Sequence, residues 1–123
     1  MTKFSYKKFF KSFYYAFRGL VTLIETEQNA RIHSMLMIFA GICAVAFRVE
    51  NTEAALLFFA FVLVFAIEII NTAVEKLLDL IHPESHTQIA FIKDALAGAV
   101  LIAAIIAGMV FILVFYPYVK ELL

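Results

Sequence analysis

The sequence predicts an all-α integral membrane protein, with three transmembrane helices preceded by an amphipathic helix in the membrane interface. Three observations carry that expectation. Hydrophobic residues make up 64% of the 123 residues and charged residues only 16%, against about 45–50% apolar residues in soluble domains. A soluble fold of this length has too little interior to hide so much apolar side chain. Largely apolar stretches recur three times, each approaching the length that crosses a hydrocarbon core. Six of the ten cations (Lys3, Lys7, Lys8, Lys11, Arg18 and Arg31) precede residue 32, where the only acids are Glu25 and Glu27. Disorder, collagen-like structure and an ordinary soluble enzyme are excluded. The length allows one domain spanning 1–123.

The amphipathic helix is expected over about 4–27. Phe9, Phe10, Phe13, Phe17, Leu20, Val21 and Ile24 recur at helical intervals, and Lys7, Lys8, Lys11, Tyr15 and Arg18 fall on the other face. A basic, aromatic-rich helix of this pattern lies along a bilayer surface. Cations and hydroxyls recur as far as Arg18, unlike the compact basic start of a cleavable secretory signal. Beside so much apolar sequence the basic start is an orientation signal, and no nucleic-acid partner is expected.

The membrane helices are expected over about 30–47, 54–80 and 93–118. The first is short for a core about 30 Å thick. The second is interrupted at Glu68. The third carries no charge from Ala95 to Tyr118, and Ala95, Ala99, Ala103 and Ala107 repeat every four residues along it. Small residues in such a stripe let helix backbones approach closely in lipid. Cys43 lies inside an apolar run and is expected to pack. The links Arg48–Glu53 and His82–Gln88 are short and polar. With the basic amino-terminal segment cytoplasmic, three crossings place the 48–53 link outside and the 82–94 segment inside.

Polar groups stand where apolar ones would be cheaper. An ionised carboxylate at mid-membrane costs about 2.5–3.5 kcal/mol on insertion scales. Glu68 is followed by Asn71, Glu75 and Asp79, at offsets of 3, 7 and 11 residues. At about 100° per residue, Glu75 and Asp79 each lie within some 20° of Glu68, so one helix carries a polar stripe. Acids on one stripe repel, and a cation relieves that repulsion. Arg31, Lys76 and Lys93 are the candidates from the chain. A hard divalent ion is another: magnesium takes one or two carboxylates and completes its shell with phosphate oxygens and water. Glu27 and Glu75, at the same rim, suit that role. Lys93, Asp94, Glu84 and His86 lie nearby. His33, His82 and His86 form no recognisable metal motif, and there is no glycine-rich phosphate loop.

Taken together, these residues resemble the small prokaryotic diacylglycerol kinase/undecaprenol kinase family. The resemblance rests on EIINTAVE at 68–75 and on Lys93-Asp94. It extends to Arg18-Gly19-Leu20, to Glu27-Gln28-Asn29-Ala30-Arg31-Ile32-His33 and to ALAGAV at 95–100, and it covers nearly the whole chain. It implies a homotrimer of three-span subunits in the bacterial inner membrane, with the amino terminus and active site cytoplasmic. It also implies transfer of the γ-phosphate of MgATP to the hydroxyl of a membrane lipid.

Carried over, Glu68 matches the general base, and Glu27 and Glu75 match the carboxylates that hold Mg2+. Tyr15, Glu84, His86, Lys93 and Asp94 match nucleotide contacts, as does Lys8, which stands where some relatives carry arginine. Arg31 and Asn71 match positions near the reacting groups, and Ala97 a small residue beside the lipid. The Glu27–His33 run and the LAGAV sequence look more like the undecaprenol branch than the diacylglycerol branch. A small transporter, with the stripe lining an ion path, and a purely structural subunit are the competing readings.

Overall fold

The computed structural model describes residues 3–123 as four helices, α1 (Tyr6–Thr26), α2 (Gln28–Ala46), α3 (Asn51–Ile81) and α4 (Thr87–Leu122). No strand occurs among the described residues. Helices α2, α3 and α4 are long and apolar enough to cross a membrane. At 1.5 Å per residue they measure about 28, 46 and 54 Å, so α3 and α4 overrun a hydrocarbon core about 30 Å thick.

Helix α1 starts at Ser5, whose hydroxyl accepts the Lys8 N–H. Leu23 is its one buried residue. Phe9, Phe10, Phe13 and Phe17 remain exposed, as an interfacial helix requires. A single extended residue, Glu27, then separates α1 from α2 and serves as the end cap of the first and the start cap of the second. Its N–H donates to the Leu23 carbonyl and its own carbonyl accepts from Arg31. Ala30 is wholly enclosed beside this elbow, where a larger side chain would push the helices apart.

The three long helices pack in sequence order, α2 on α3 and α3 on α4. Leu57, Val114 and Phe115 form one buried cluster, flanked by Cys43, Phe47 and Phe111. Cys43 packs there as expected. Val64, Ala103 and Ala107 form a second cluster. The alanine stripe thus divides: Ala103 and Ala107 pack within the chain, whereas Ala95 and Ala99 are exposed.

Two helices run further than their apolar spans. Helix α3 begins three residues before 54, where the Glu53 carboxylate folds back to accept the Glu50 N–H and satisfies an otherwise orphaned donor. Helix α4 begins six residues before 93, because the His86 ring caps it by accepting the Gln88 N–H. It also continues past Pro117, which removes one hydrogen bond near the helix end without stopping it. Neither extension shows as a run of apolar residues.

Candidate active site

Helix α3 turns one face inward along its whole length: Leu57, Val64, Glu68, Asn71, Thr72 and Leu78 are its buried residues. The polar members of this face are therefore as enclosed as the apolar ones. Glu68 is 2% exposed, Thr72 5% and Asn71 6%. Glu68 Oε2 and Asn71 Oδ1 have no hydrogen-bond partner among the described residues. A buried acceptor without a donor costs about 1–3 kcal/mol, and a charged one more. His33, Glu75 and Glu27 are the titratable side chains that act on Glu68.

Burial declines along the stripe. Glu75 is half-buried and Asp79 exposed. Two ion pairs form there. Lys76 Nζ lies 2.9 Å from Glu27 Oε1 and ties the elbow to α3. Lys93 bonds Asp79 and ties α4 to α3. Both pairs lie at the same end of the helix bundle, so the elbow, the end of α3 and the start of α4 share one surface. At the other end, the Tyr118 hydroxyl donates to Glu53.

A pocket of about 260 Å³ beside the second pair is lined by Asp79, His82, Glu84, His86 and Lys93 among others. It gathers three of the expected nucleotide contacts. His86 Nδ1 accepts the helix-capping N–H, which leaves Nε2 as the donor of a neutral ring. Tyr15 lines a different cleft, of about 550 Å³, between α1 and α3, together with Arg18, Thr72 and Lys76. Arg31, four residues past Glu27, is exposed, and so are Asp94 and Ala97. Ala97 lies one turn beyond Lys93 on α4. Lys8 stands apart, exposed in the first turn of α1, and has no ion pair among the described residues.

Glu27 and Glu75 suit a hard divalent ion. Both are carboxylates at the rim, and Glu27 already holds a cation in the form of Lys76. No cluster of three or more His, Cys, Asp or Glu able to hold a metal occurs among the described residues. That donor set fits an ion whose remaining positions are filled by phosphate and water. It does not fit a structural metal cage.

Three features escaped the sequence. Thr72 is buried with Glu68, and its spacing of four from Glu68 was a usable signal. The Lys76–Glu27 and Lys93–Asp79 pairings cross between helices, and no spacing reveals them. His33, the last residue of the quoted run, acts on Glu68 across the helices, a relation that no spacing reveals.

The prokaryotic diacylglycerol kinase family model matches residues 14–115. The chain belongs to the prokaryotic diacylglycerol kinase family. Within that family it is 34% identical over 110 residues to the undecaprenol kinase of Bacillus subtilis, covering 89% of each chain. It is 38% identical over 100 residues to the diacylglycerol kinase of Synechocystis, covering 80% of this chain and 57% of that protein. The diacylglycerol kinase of Escherichia coli is 32% identical over 93 residues, covering 76% of each chain. The family's matched region takes in α2 and α3 entire, and with them Glu27, Glu68 and Glu75.

Proposed function

We propose that this protein is an ATP- and Mg2+-dependent lipid kinase that phosphorylates undecaprenol to undecaprenyl phosphate, at the cytoplasmic face of the bacterial inner membrane. The observation that carries the chemistry is Glu68, a buried carboxylate with a free oxygen on the same buried face of α3 as Asn71. A lipid alcohol brings the one hydrogen-bond donor that Glu68 Oε2 lacks. Glu68 takes the hydroxyl proton as the oxygen attacks the γ-phosphorus, and ADP leaves from the opposite side. The Asn71 amide NH2 donates to the attacking oxygen and orients it.

Glu68 lies seven residues from Glu75, about 10 Å along α3. The base therefore sits deeper than the rim, as a hydroxyl anchored by hydrocarbon requires. Mg2+ bound by Glu27 and Glu75 supplies neutralisation of phosphate charge, which is most of what phosphoryl transfer needs beyond positioning. Lys93 and His86 donate to the nucleotide, while Glu84 and Asp94 accept from its sugar or base. Tyr15 and Lys8 close over it from α1, and Arg31 and Ala97 border the acceptor lipid.

The working unit is a homotrimer. The exposed Ala95 and Ala99 continue the stripe whose other half packs against Val64, which supports close approach of a helix from another copy. The undecaprenol assignment is supported by the likeness to the Bacillus subtilis undecaprenol kinase across 89% of both chains. Diacylglycerol is the second reading, favoured by the likeness to the two diacylglycerol kinases.

Purified protein with labelled ATP, Mg2+ and either lipid at equal membrane mole fraction tests both readings. Label enters the lipid phase, faster with undecaprenol, and Glu68→Gln lowers the rate by about 10²–10⁴-fold, the usual worth of a general base. A wild-type protein that labels neither lipid refutes the activity.

A further inference from the structure

Lys76 Nζ sits 2.9 Å from Glu27 Oε1, and the residue before it is Glu75, the other carboxylate proposed to hold the ion. A divalent ion bound to Glu27 at about 2.0–2.1 Å competes with the ammonium group for the same carboxylate charge. Two cations a few ångströms apart repel, which weakens the ammonium's hold on Glu27. The arriving ion therefore favours departure of the ammonium. It has somewhere to go. The Lys76 side chain is 61% exposed and lines the open cleft between α1 and α3 beside Tyr15 and Arg18. The species that arrives with the ion is a triphosphate, whose oxygens are strong acceptors for a lysine.

We infer that Lys76 exchanges partners: it neutralises Glu27 in the empty enzyme, and donates to a phosphate oxygen of the nucleotide once the ion has taken Glu27. The inference rests on the proposed metal role of Glu27 and Glu75 and adds a residue that role does not include. The exchange has a thermodynamic consequence. The bare ion must displace Lys76 without recompense, so it binds weakly. The ion–triphosphate complex offers the displaced ammonium a new acceptor, so it binds without that penalty. The site thereby prefers metal–nucleotide over metal alone.

The test uses the full chain in lipid nanodiscs, with Mn2+ alone as the probe and free Mn2+ followed by electron paramagnetic resonance. Lys76→Met and Lys76→Gln bind Mn2+ without nucleotide about two- to fivefold tighter than wild type, the range expected from losing a partly exposed ion pair. Each raises the KM for ATP by about tenfold, as loss of a hydrogen bond to a charged group does, and more than it lowers kcat. Lys76→Arg retains wild-type behaviour on both counts. Misfolding does not mimic this pattern, because it cannot tighten ion binding. Unchanged or weaker Mn2+ binding overturns the inference, and so does an unchanged KM. If wild type shows no Mn2+ binding that Glu27→Gln removes, the metal reading itself falls. If it does show such binding and Lys76→Met alters neither quantity, only the partner exchange falls.

Discussion

Glu68, Asn71 and Thr72 share one face of α3 because offsets of three and four residues nearly complete a helical turn. The same spacing puts Leu57 and Val64 above them. A carboxylate introduced at random into this helix would face lipid as often as protein; this one faces protein. Glu75 is set on the same stripe two turns further on, where enclosure lessens and an ion has access. Its replacement therefore separates the two tasks. Glu75→Gln keeps the shape but halves the carboxylate charge available to the ion. The Mg2+ concentration for half-maximal rate rises by roughly tenfold, a loss of about 1.4 kcal/mol, while the lipid concentration dependence shifts little. A variant that instead demands more lipid at unchanged Mg2+ contradicts the metal role.

Among the elements, the end of α2 shows how local backbone chemistry joins two spans. Arg48 N–H donates to the Val45 carbonyl and Val49 N–H to the Ala44 carbonyl, closing the helix with Arg48 at a φ of 51°. That is a Schellman ending, whose left-handed position usually holds glycine. Arginine there bears roughly 1–2 kcal/mol of steric strain. Arg48→Gly raises stability by about 1 kcal/mol in denaturant titration of the micelle-solubilised protein, and leaves kinase activity intact because the link is remote from Glu68. A fall in stability shows that the Arg48 side chain contributes more than its backbone costs.

Element type was legible in the chain because hydropathy and period agree over long windows: the amphipathic pattern of α1 and the charge-free run from Ala95 to Tyr118 leave few alternatives. The exact ends were less so. The starts of α3 and α4 depend on side chains folding back onto the backbone at Glu53 and His86, among residues that also suit a loop. Glu68, Asn71 and the rim acids were legible because an intramembrane polar group is costly. Which cation meets which acid was not, since Lys76–Glu27 and Lys93–Asp79 are set by how helices pack.

At the scale of the whole molecule, an antiparallel run of three crossings brings residues far apart in sequence to one surface and sends the 48–50 link to the other. In a Cys43→Ala background, Ser85→Cys reacts with a membrane-impermeant maleimide only in inverted vesicles, and Asn51→Cys only in right-side-out ones. Reaction of both from the same side rules out this arrangement. The elbow at Glu27 sets a further limit. One extended residue is the entire joint between a helix lying along the lipid surface and a helix passing through it. An alanine inserted between Leu20 and Leu23 would turn the preceding part of α1 by about 100° relative to Glu27, rolling the phenylalanines toward water and the lysines toward oil. Related chains should therefore vary freely in length before Ser5 or in the turn after Ile81, yet keep a constant count of residues from Phe9 to Arg31.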